Sequence, residues 1–540
     1  MGKSTYWKGI EELNQDTGFK QKAQNEFTET LPSKEDFESL DAQISDTTRR
    51  DFLKAMGFTV AAVSLAACEA PTRYAIPYVN KPADVDPGIA NWYASTYVGD
   101  GEAIPVVVKT REGRPIKIEG NTESTLTNGG VGARAQASVL SLYDSSRLKN
   151  FQHKKRGDVF NGVTAAAADK FVTGKLDSIS AEGGKIALVS NTIASPTTKK
   201  VIADFKAKYP TVEHVSYDAV SVSGLAKANN NSVPAYDFSK ANVIVSFGAD
   251  FLGTWISPVA FSSQYAKNRK VSRKTKTMSK HYQFESNLSL SGSNADERIM
   301  VKPSEEPYYI LGLYNIIARE FGARILDIPQ LNAKGEAKLK EAAQKLIAST
   351  GKSLVISSSN DDAVQYLVRR INELLGNYES TLSSTKPSYI KQGDDTQMID
   401  FVSNLEKGAV KAVIFLESNP VYDFHLGENI EAALPKTDLV VSITDREEET
   451  STHADVICAS QHYLESWGDV ELQKGSLSLI QPTIRPLYKG TRSKEETLLA
   501  WAGNSTSYYE YLKAAWMSAG NGQKFWDKSL HDGVASGTSM

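Results

Sequence analysis

Beyond residue 150 the chain alternates short, continuous apolar runs with longer stretches whose apolar residues return every three or four positions. The runs at 185–190, 212–217, 241–247, 354–358, 412–416, 439–443 and 454–458 predict strands buried on both faces, because a half-exposed strand would alternate instead. The stretches at 307–321 and 337–348 predict amphipathic helices. Strands alternating with helices build a parallel sheet covered on both sides. The expected fold class is therefore α/β, with two doubly wound parallel-sheet domains. Ahead of them, β-type runs at 104–110 and 114–119 are joined by Arg111-Glu112-Gly113, where glycine suits a hairpin turn, which gives a small N-terminal β unit. Residues 69–105, rich in proline, glycine and tyrosine, read as an extended strap. The expected divisions are a polar extension at 1–46, a signal at 47–68, strap and small β domain at 69–150, α/β domains at 151–345 and 346–500, and a helical tail at 501–540. Within the extension, Tyr6 to Leu13 could form a short amphipathic helix or a frayed leader.

The segment 47–68 breaks this rhythm. It reads Thr47-Thr48-Arg49-Arg50-Asp51-Phe52-Leu53-Lys54, then an apolar run at 55–67, then Cys68. An arginine pair followed by Phe52, Leu53 and Lys54 and a modest apolar run is the pattern of a twin-arginine export signal, whose pathway carries folded proteins. The run is shorter than the roughly 20 residues that span a bilayer. Leu65-Ala66-Ala67-Cys68 has the form of a lipobox, which makes Cys68 the expected point of lipidation and membrane attachment. The plainer alternative is an exposed helix start at Arg49-Arg50 followed by a small core helix. The combined pattern favours export.

Composition narrows the chemistry. With 41% hydrophobic and 23% charged residues and a net charge of −3 over 540 residues, nothing marks a nucleic-acid surface. Only Cys68 and Cys458 occur, so the chain has no cysteine cluster for iron or zinc. Walker, GxGxxG, HExxH and GxSxG motifs are absent. Several strand ends carry small or polar residues: Ser190-Asn191-Thr192, Gly248-Ala249-Asp250, Ser357-Ser358-Ser359-Asn360, Glu417-Ser418-Asn419 and Thr444-Asp445. In open α/β sheets ligands sit beyond such ends, although the same residues also make good turns and caps. Gly129-Gly130-Val131-Gly132 could nest an anion but reads better as a turn. Ser349-Thr350-Gly351-Lys352 reads as a loop, and Cys458, between His453 and His462, as a buried structural thiol. Seven basic residues between Lys267 and Lys280 suit a solvated face, or contact with anionic head groups or an acidic partner.

Several segments together resemble the molybdopterin oxidoreductase superfamily, in its branch with a delayed twin-arginine signal. They are the β unit at 107–121, Leu142-Tyr143-Asp144 with Arg147-Leu148, Ser246-Phe247-Gly248-Ala249-Asp250, Ser418-Asn419-Pro420, the run His462-Tyr463-Leu464-Glu465-Ser466-Trp467-Gly468-Asp469, and Gln481 through Leu487. The departures matter equally. Where catalytic members carry cluster cysteines, residues 91–99 have none, and 191–242 lack a cysteine for molybdenum. The family's C-terminal pterin-clasping β domain is not recognisable before Met540. The resemblance thus implies a cofactor-free member with no catalytic, cofactor-binding or metal residues of its own, most similar to the B subunit of alternative complex III. It further implies iron–sulfur clusters in a linked or partner ferredoxin-like region, and haem c in a multihaem cytochrome c subunit. A quinol-binding integral membrane subunit would complete a complex that passes electrons from quinol to cytochrome c or an oxidase. The chain would stand at the periplasmic face of a bacterial inner membrane, as a non-catalytic scaffold. The alternatives are an active molybdenum-pterin catalytic subunit, such as a polysulfide or oxyanion reductase, and an exported lipoprotein that binds a small ligand.

Overall fold

The computed structural model describes residues 86–540 apart from 87, 100, 156, 157, 272–275, 328, 330, 332 and 521. The export residues Arg49, Arg50, Phe52, Leu53 and Lys54, the lipidation candidate Cys68, the polar extension and most of the strap therefore lie outside the described residues.

Seven strands form the largest sheet, in the spatial order Asn161–Val163, Phe151–His153, Val456–Ala459, Leu439–Thr444, Val410–Leu416, Lys185–Ser190, Val212–Ser216. The last five run parallel, and the first two add an antiparallel edge. The continuous apolar runs are explained by coverage on both faces. Ile186, Leu188, Val189, Val413, Ile414, Val441 and Ile457 are all fully buried. The covering helices begin where the sequence supplies caps. Thr164 accepts from the Ala167 amide ahead of Ala165–Ala181, and Ser195 from the Thr198 amide ahead of Pro196–Lys208, whose Pro196 sits in the first turn, where no amide is needed.

A second, four-stranded parallel sheet has the order Glu297–Met300, Lys280–Glu285, Val243–Phe247, Ser353–Ser357. Its two faces feed two cores. Val243, Val245 and Phe247 pack with the helices Glu306–Glu320, Ala333–Ala348 and Asp362–Leu374, while Ile244 packs with Phe251, Trp255 and Phe261. Five antiparallel strands, Val534–Ser536, Ser476–Ile480, Gly468–Gln473, Leu382–Ser388 and Val233–Tyr236, make a third sheet.

The small β unit is a three-stranded antiparallel sheet of Ala90–Gly99, Glu102–Arg111 and Arg114–Gly120. Its expected hairpin turn is Glu112-Gly113, both with positive φ (52° and 74°), the geometry whose twist matches the flanking strands. Gly120 lets this sheet press on the following loop. A Cβ there would stand 2.1 Å from the Gly129 carbonyl oxygen.

Three expectations need correction. Residues 90–99, expected within an extended strap, form a ten-residue strand paired along its whole length with Glu102–Arg111. The aromatic and β-branched residues Trp92, Tyr93, Thr96, Tyr97 and Val98 favour a pleated surface more than the surrounding prolines and glycines oppose it. The boundary at 345/346 does not separate the two parallel sheets. The seven-stranded sheet takes strands from 151–216 and again from 410–459, and the four-stranded sheet lies between them in sequence. Finally, 501–540 is not only helical. After the helices Tyr508–Ala519 and Gln523–Asp532, Val534–Ser536 joins the five-stranded sheet, and Trp516 and Trp526 are buried in the main core.

Candidate functional site: a cleft at the switch point of the seven-stranded sheet

From Lys185–Ser190 the chain winds to Val212–Ser216 on one side, and from Val410–Leu416 it winds to Leu439–Thr444 and Val456–Ala459 on the other. The winding reverses between the first strands of these two runs. Their following connections leave on opposite faces, and a crevice opens at the carboxyl ends. Here the crevice is a cleft of about 790 Å³. Its floor holds the strand-end residues picked out in the sequence, namely Asn191, Thr192, Glu417, Thr444 and Asp445. Opposite them stand Tyr97, Glu102, Arg134, Ser138 and Ser141 from the three-stranded sheet and the helix Ala133–Leu142, and residues 460–470 close one side.

The lining is acidic. It contains seven carboxylates (Glu102, Asp218, Glu417, Asp445, Glu448, Asp469, Glu495) and three cations (Arg134, Arg446, Lys494). Each cation is already matched. Arg134 lies 2.6 Å from Glu102, Arg446 lies 2.9 Å from Asp445, and Lys494 pairs with Glu417. Asp218 accepts from the Thr192 hydroxyl (2.8 Å) and the Gly393 amide (2.9 Å), pinning the strand end to the loop before Asp395–Glu406. Glu448 caps the short helix Glu449–Thr452, and its carboxyl is pushed up to about 7 by burial and by the neighbouring Asp445 charge.

Beneath the cleft, Asp469 is buried and accepts from Ser195, Thr197 and the Trp516 indole, the last at 2.9 Å. Burial raises its pKa even against those donors. Glu495 is raised likewise by burial, opposed by Lys494, and accepts from the Thr198 hydroxyl at 2.9 Å. Both carboxyls are therefore held toward their neutral form. His462 lies at the cleft wall. Its Nδ1 accepts from the Leu464 amide, which places the ring proton on Nε2 toward Ser141 Oγ at 3.0 Å. Burial first, and then the Arg147 charge, pushes its pKa down to about 4, so the ring is neutral. Behind it, Arg147 and Glu465, both with fully buried side chains, form a two-point pair, Nη2 to Oε2 at 2.6 Å and Nη1 to Oε1 at 3.4 Å.

Other sequence candidates are dispersed. Cys458 is fully buried in its strand and its thiol is pushed up by burial, whereas His453 sits 3.4 Å from Glu431 and His462 faces the cleft. No cluster of three or more histidine, cysteine or acidic side chains able to hold a metal occurs among the described residues. The Gly129 to Gly132 turn serves packing, with Gly130 and Gly132 pressed on Val259. Ser349 to Lys352 is a turn after Ala333–Ala348. Of the basic run, Arg269 is bound to Asp296 at 2.7 Å and Lys280 to Glu297 at 3.4 Å, which neutralises part of that face. The residues that sequence reasoning did not single out as site residues, Glu102, Arg134, Asp218, Glu448 and Glu495, carry no motif. Only the register of distant elements brings them to one cavity.

The second parallel sheet has its own reversal, between Val243–Phe247 and Ser353–Ser357. There two side chains approach the backbone closely. A Cβ on Gly248 would meet Ser358 Oγ at 2.6 Å and Glu306 Oε2 at 3.1 Å, and the partly buried Glu306 carboxyl, beside Ser357, is raised to about 7 by desolvation.

No protein-family model matches the chain. It is 22% identical over 486 residues to the menaquinone reductase, molybdopterin-binding-like subunit, of Nitratidesulfovibrio vulgaris, covering 81% of this chain and 68% of that one. Among solved structures it superposes on the acetylene hydratase from Pelobacter acetylenicus with a TM-score of 0.58 at 13% identity, over 82% of this chain and 74% of that one. The chain is thus similar in sequence to a molybdopterin-binding-like subunit of a menaquinone reductase, and in fold to acetylene hydratase.

Proposed function

We propose that this chain is a non-catalytic scaffold subunit of a membrane respiratory complex that exchanges electrons with quinone, of the alternative complex III type. The relative's name supplies the quinone-related, multi-subunit setting. The observation that carries the non-catalytic part is the charge of the switch-point cleft. A pterin dinucleotide brings several phosphate charges, and its binding would draw on free cations or unused amides at the strand ends. The cleft lining holds seven acidic side chains, of which burial holds Glu448, Asp469 and Glu495 toward the neutral form, and each of its three cations already faces one of the others. At the second reversal Glu306 and Ser358 lie close against Gly248. These residues do not fit the cofactor of the fold family.

In this reading electrons travel through iron–sulfur clusters of a linked or partner ferredoxin-like region and haem c of a multihaem cytochrome c subunit, from a quinol-binding integral membrane subunit. This chain holds those parts together at the periplasmic face, exported through Arg49-Arg50 and anchored through Cys68. No described helix is long and apolar enough to cross a membrane. The size and position of the cleft favour a second reading, a working molybdenum enzyme. Purifying the assembly and measuring its metals separates the two. The scaffold reading expects haem and non-haem iron with molybdenum far below one atom per chain, and stoichiometric molybdenum would overturn it.

A further inference from the structure

We infer that a groove on the four-stranded-sheet half of the molecule is a docking site for an acidic segment of a partner polypeptide that inserts an aromatic or leucine side chain. This deepens the scaffold reading and rests on it for the presence of a partner. The groove encloses about 860 Å³ between the helices Glu306–Glu320 and Asp362–Leu374 and the end of the short helix Ser223–Ala228.

Its floor and walls are Tyr314, Leu326, Tyr366 and Leu367, and its rim is Lys227, Arg324 and Arg370 against a single carboxylate, Asp362. Tyr366 is 53% exposed and Leu326 42%, and beside them Phe321 and Ile325 are 41% and 48% exposed. Exposed large apolar side chains drawn together around a concavity mark an interaction surface, and tyrosine and arginine are the residue types on which such surfaces depend most.

The wall is fixed in place. Asn315 Nδ2 donates to the Leu326 carbonyl (2.7 Å) and its Oδ1 accepts from the Leu326 amide (2.9 Å), while the Tyr314 hydroxyl donates to the Arg324 carbonyl (2.9 Å). A partner therefore meets a preformed surface and does not have to order it.

Charge selects the occupant. Lys227 stands 4.0 Å from Asp394, and Arg370 pairs with Glu373, both outside the groove lining. Partly exposed pairs of this kind are weak, so they can be exchanged for a partner's carboxylates. Arg324 has no ion-pair partner among the described residues. A second cationic surface, or a purely apolar one, would leave this rim unmatched.

The test uses the full chain in its native membrane. A photoreactive benzoylphenylalanine replaces Tyr366, and the cross-linked products are mapped by mass spectrometry. Arg324→Glu and Tyr366→Ala are assayed for co-purifying subunits, with Arg324→Lys as the conservative variant and Lys345→Glu as a charge change elsewhere on the surface. The inference expects a cross-link to one other polypeptide, within a segment where acidic residues flank an apolar one. It also expects about tenfold loss of that polypeptide with Arg324→Glu and Tyr366→Ala, and near-normal recovery with Arg324→Lys and Lys345→Glu. Cross-links to lipid, to a second copy of this chain or to none, with the other subunits still co-purifying, would overturn the groove and leave the scaffold reading intact. A parent chain that purifies alone would overturn both.

Discussion

At the scale of single residues, the Arg147 to Glu465 pair shows how a contact can matter structurally and leave no local trace. The partners are 318 positions apart, and each is fully buried. Removing Glu465 leaves the buried Arg147 charge facing only Asp445, 3.9 Å from its Nε, and breaking a buried pair in this way typically costs up to ~3–5 kcal/mol. Glu465→Ala should lose about that much in urea unfolding, whereas Arg147→Met with Glu465→Leu should recover most of it. A loss below ~1 kcal/mol for the single change would show that water reaches the pair.

Glu306 gives a pH prediction. Burial raises its carboxyl to about 7, against an unfolded value of 4.5, and the hydrogen bond with Ser357 only partly opposes this. Between those values the folded chain holds a proton that the unfolded chain has released, so its contribution is fully present below pH 4.5 and is lost as pH rises through 7. Glu306→Gln, which cannot ionise, should gain melting temperature over the parent at pH 8 relative to the same comparison at pH 5. An equal difference at the two pH values would remove the argument. Glu306 stood at the edge of an expected helix, yet nothing in the local sequence distinguished it from a solvated glutamate. Its neighbours Gly248 and Ser358 arrive from other elements.

At the scale of elements, the local code was well read where a short window suffices. The seven expected apolar strands, the hairpin turn at Glu112-Gly113 and the two long helices lie within a few residues of where the apolar pattern put them, whereas Lys280–Glu285 and Gly468–Gln473, whose buried positions include His281, Gln283, Asp469 and Glu471, carried no apolar run to mark them. The strand Ala90–Gly99 escaped because proline and glycine nearby suggested an extended path, and its partner, although close in sequence, had to be known before the strand could be. The last helices teach the same lesson. Trp526 has 1% exposure and packs on Trp467, Tyr509 and Trp516, so the tail is part of the core and not an appendage. Trp526→Ala should cost ~3–5 kcal/mol of stability in denaturant unfolding. An ordinary cap such as Asp361, whose carboxylate accepts from the Ala363 and Val364 amides, should cost only ~1 kcal/mol when changed to alanine. If the tryptophan proved the cheaper of the two, the tail would be loosely packed.

At the scale of the whole molecule, the interleaving of the sheets decides what can fold alone. A fragment of residues 346–540 contains Val410–Leu416, Leu439–Thr444 and Val456–Ala459 but lacks Lys185–Ser190, the neighbour that closes the central strand's open edge. An unpaired apolar edge of that length invites aggregation. The fragment should therefore be insoluble, or lack protected amides in hydrogen exchange, whereas a soluble, cooperatively folding 346–540 would restore the consecutive-domain picture. The same interleaving builds the cleft. Its floor comes from two separated parts of the chain, and its opposite wall comes from the three-stranded sheet and the helix after it.

By itself the sequence determined the α/β class, the most continuously apolar of the parallel strands, the polar character of the strand ends and the shortage of thiols. Each of these is a property of composition or of a window a few residues wide, where apolar periodicity and residue chemistry act directly. The tertiary structure alone decided which strands are neighbours, that a cleft opens at the reversal of the seven-stranded sheet, and that seven acidic side chains and three paired cations meet there. Strand order and cavity charge depend on contacts between residues hundreds of positions apart. No periodicity records such contacts, because their free energy is gained only when the distant elements meet.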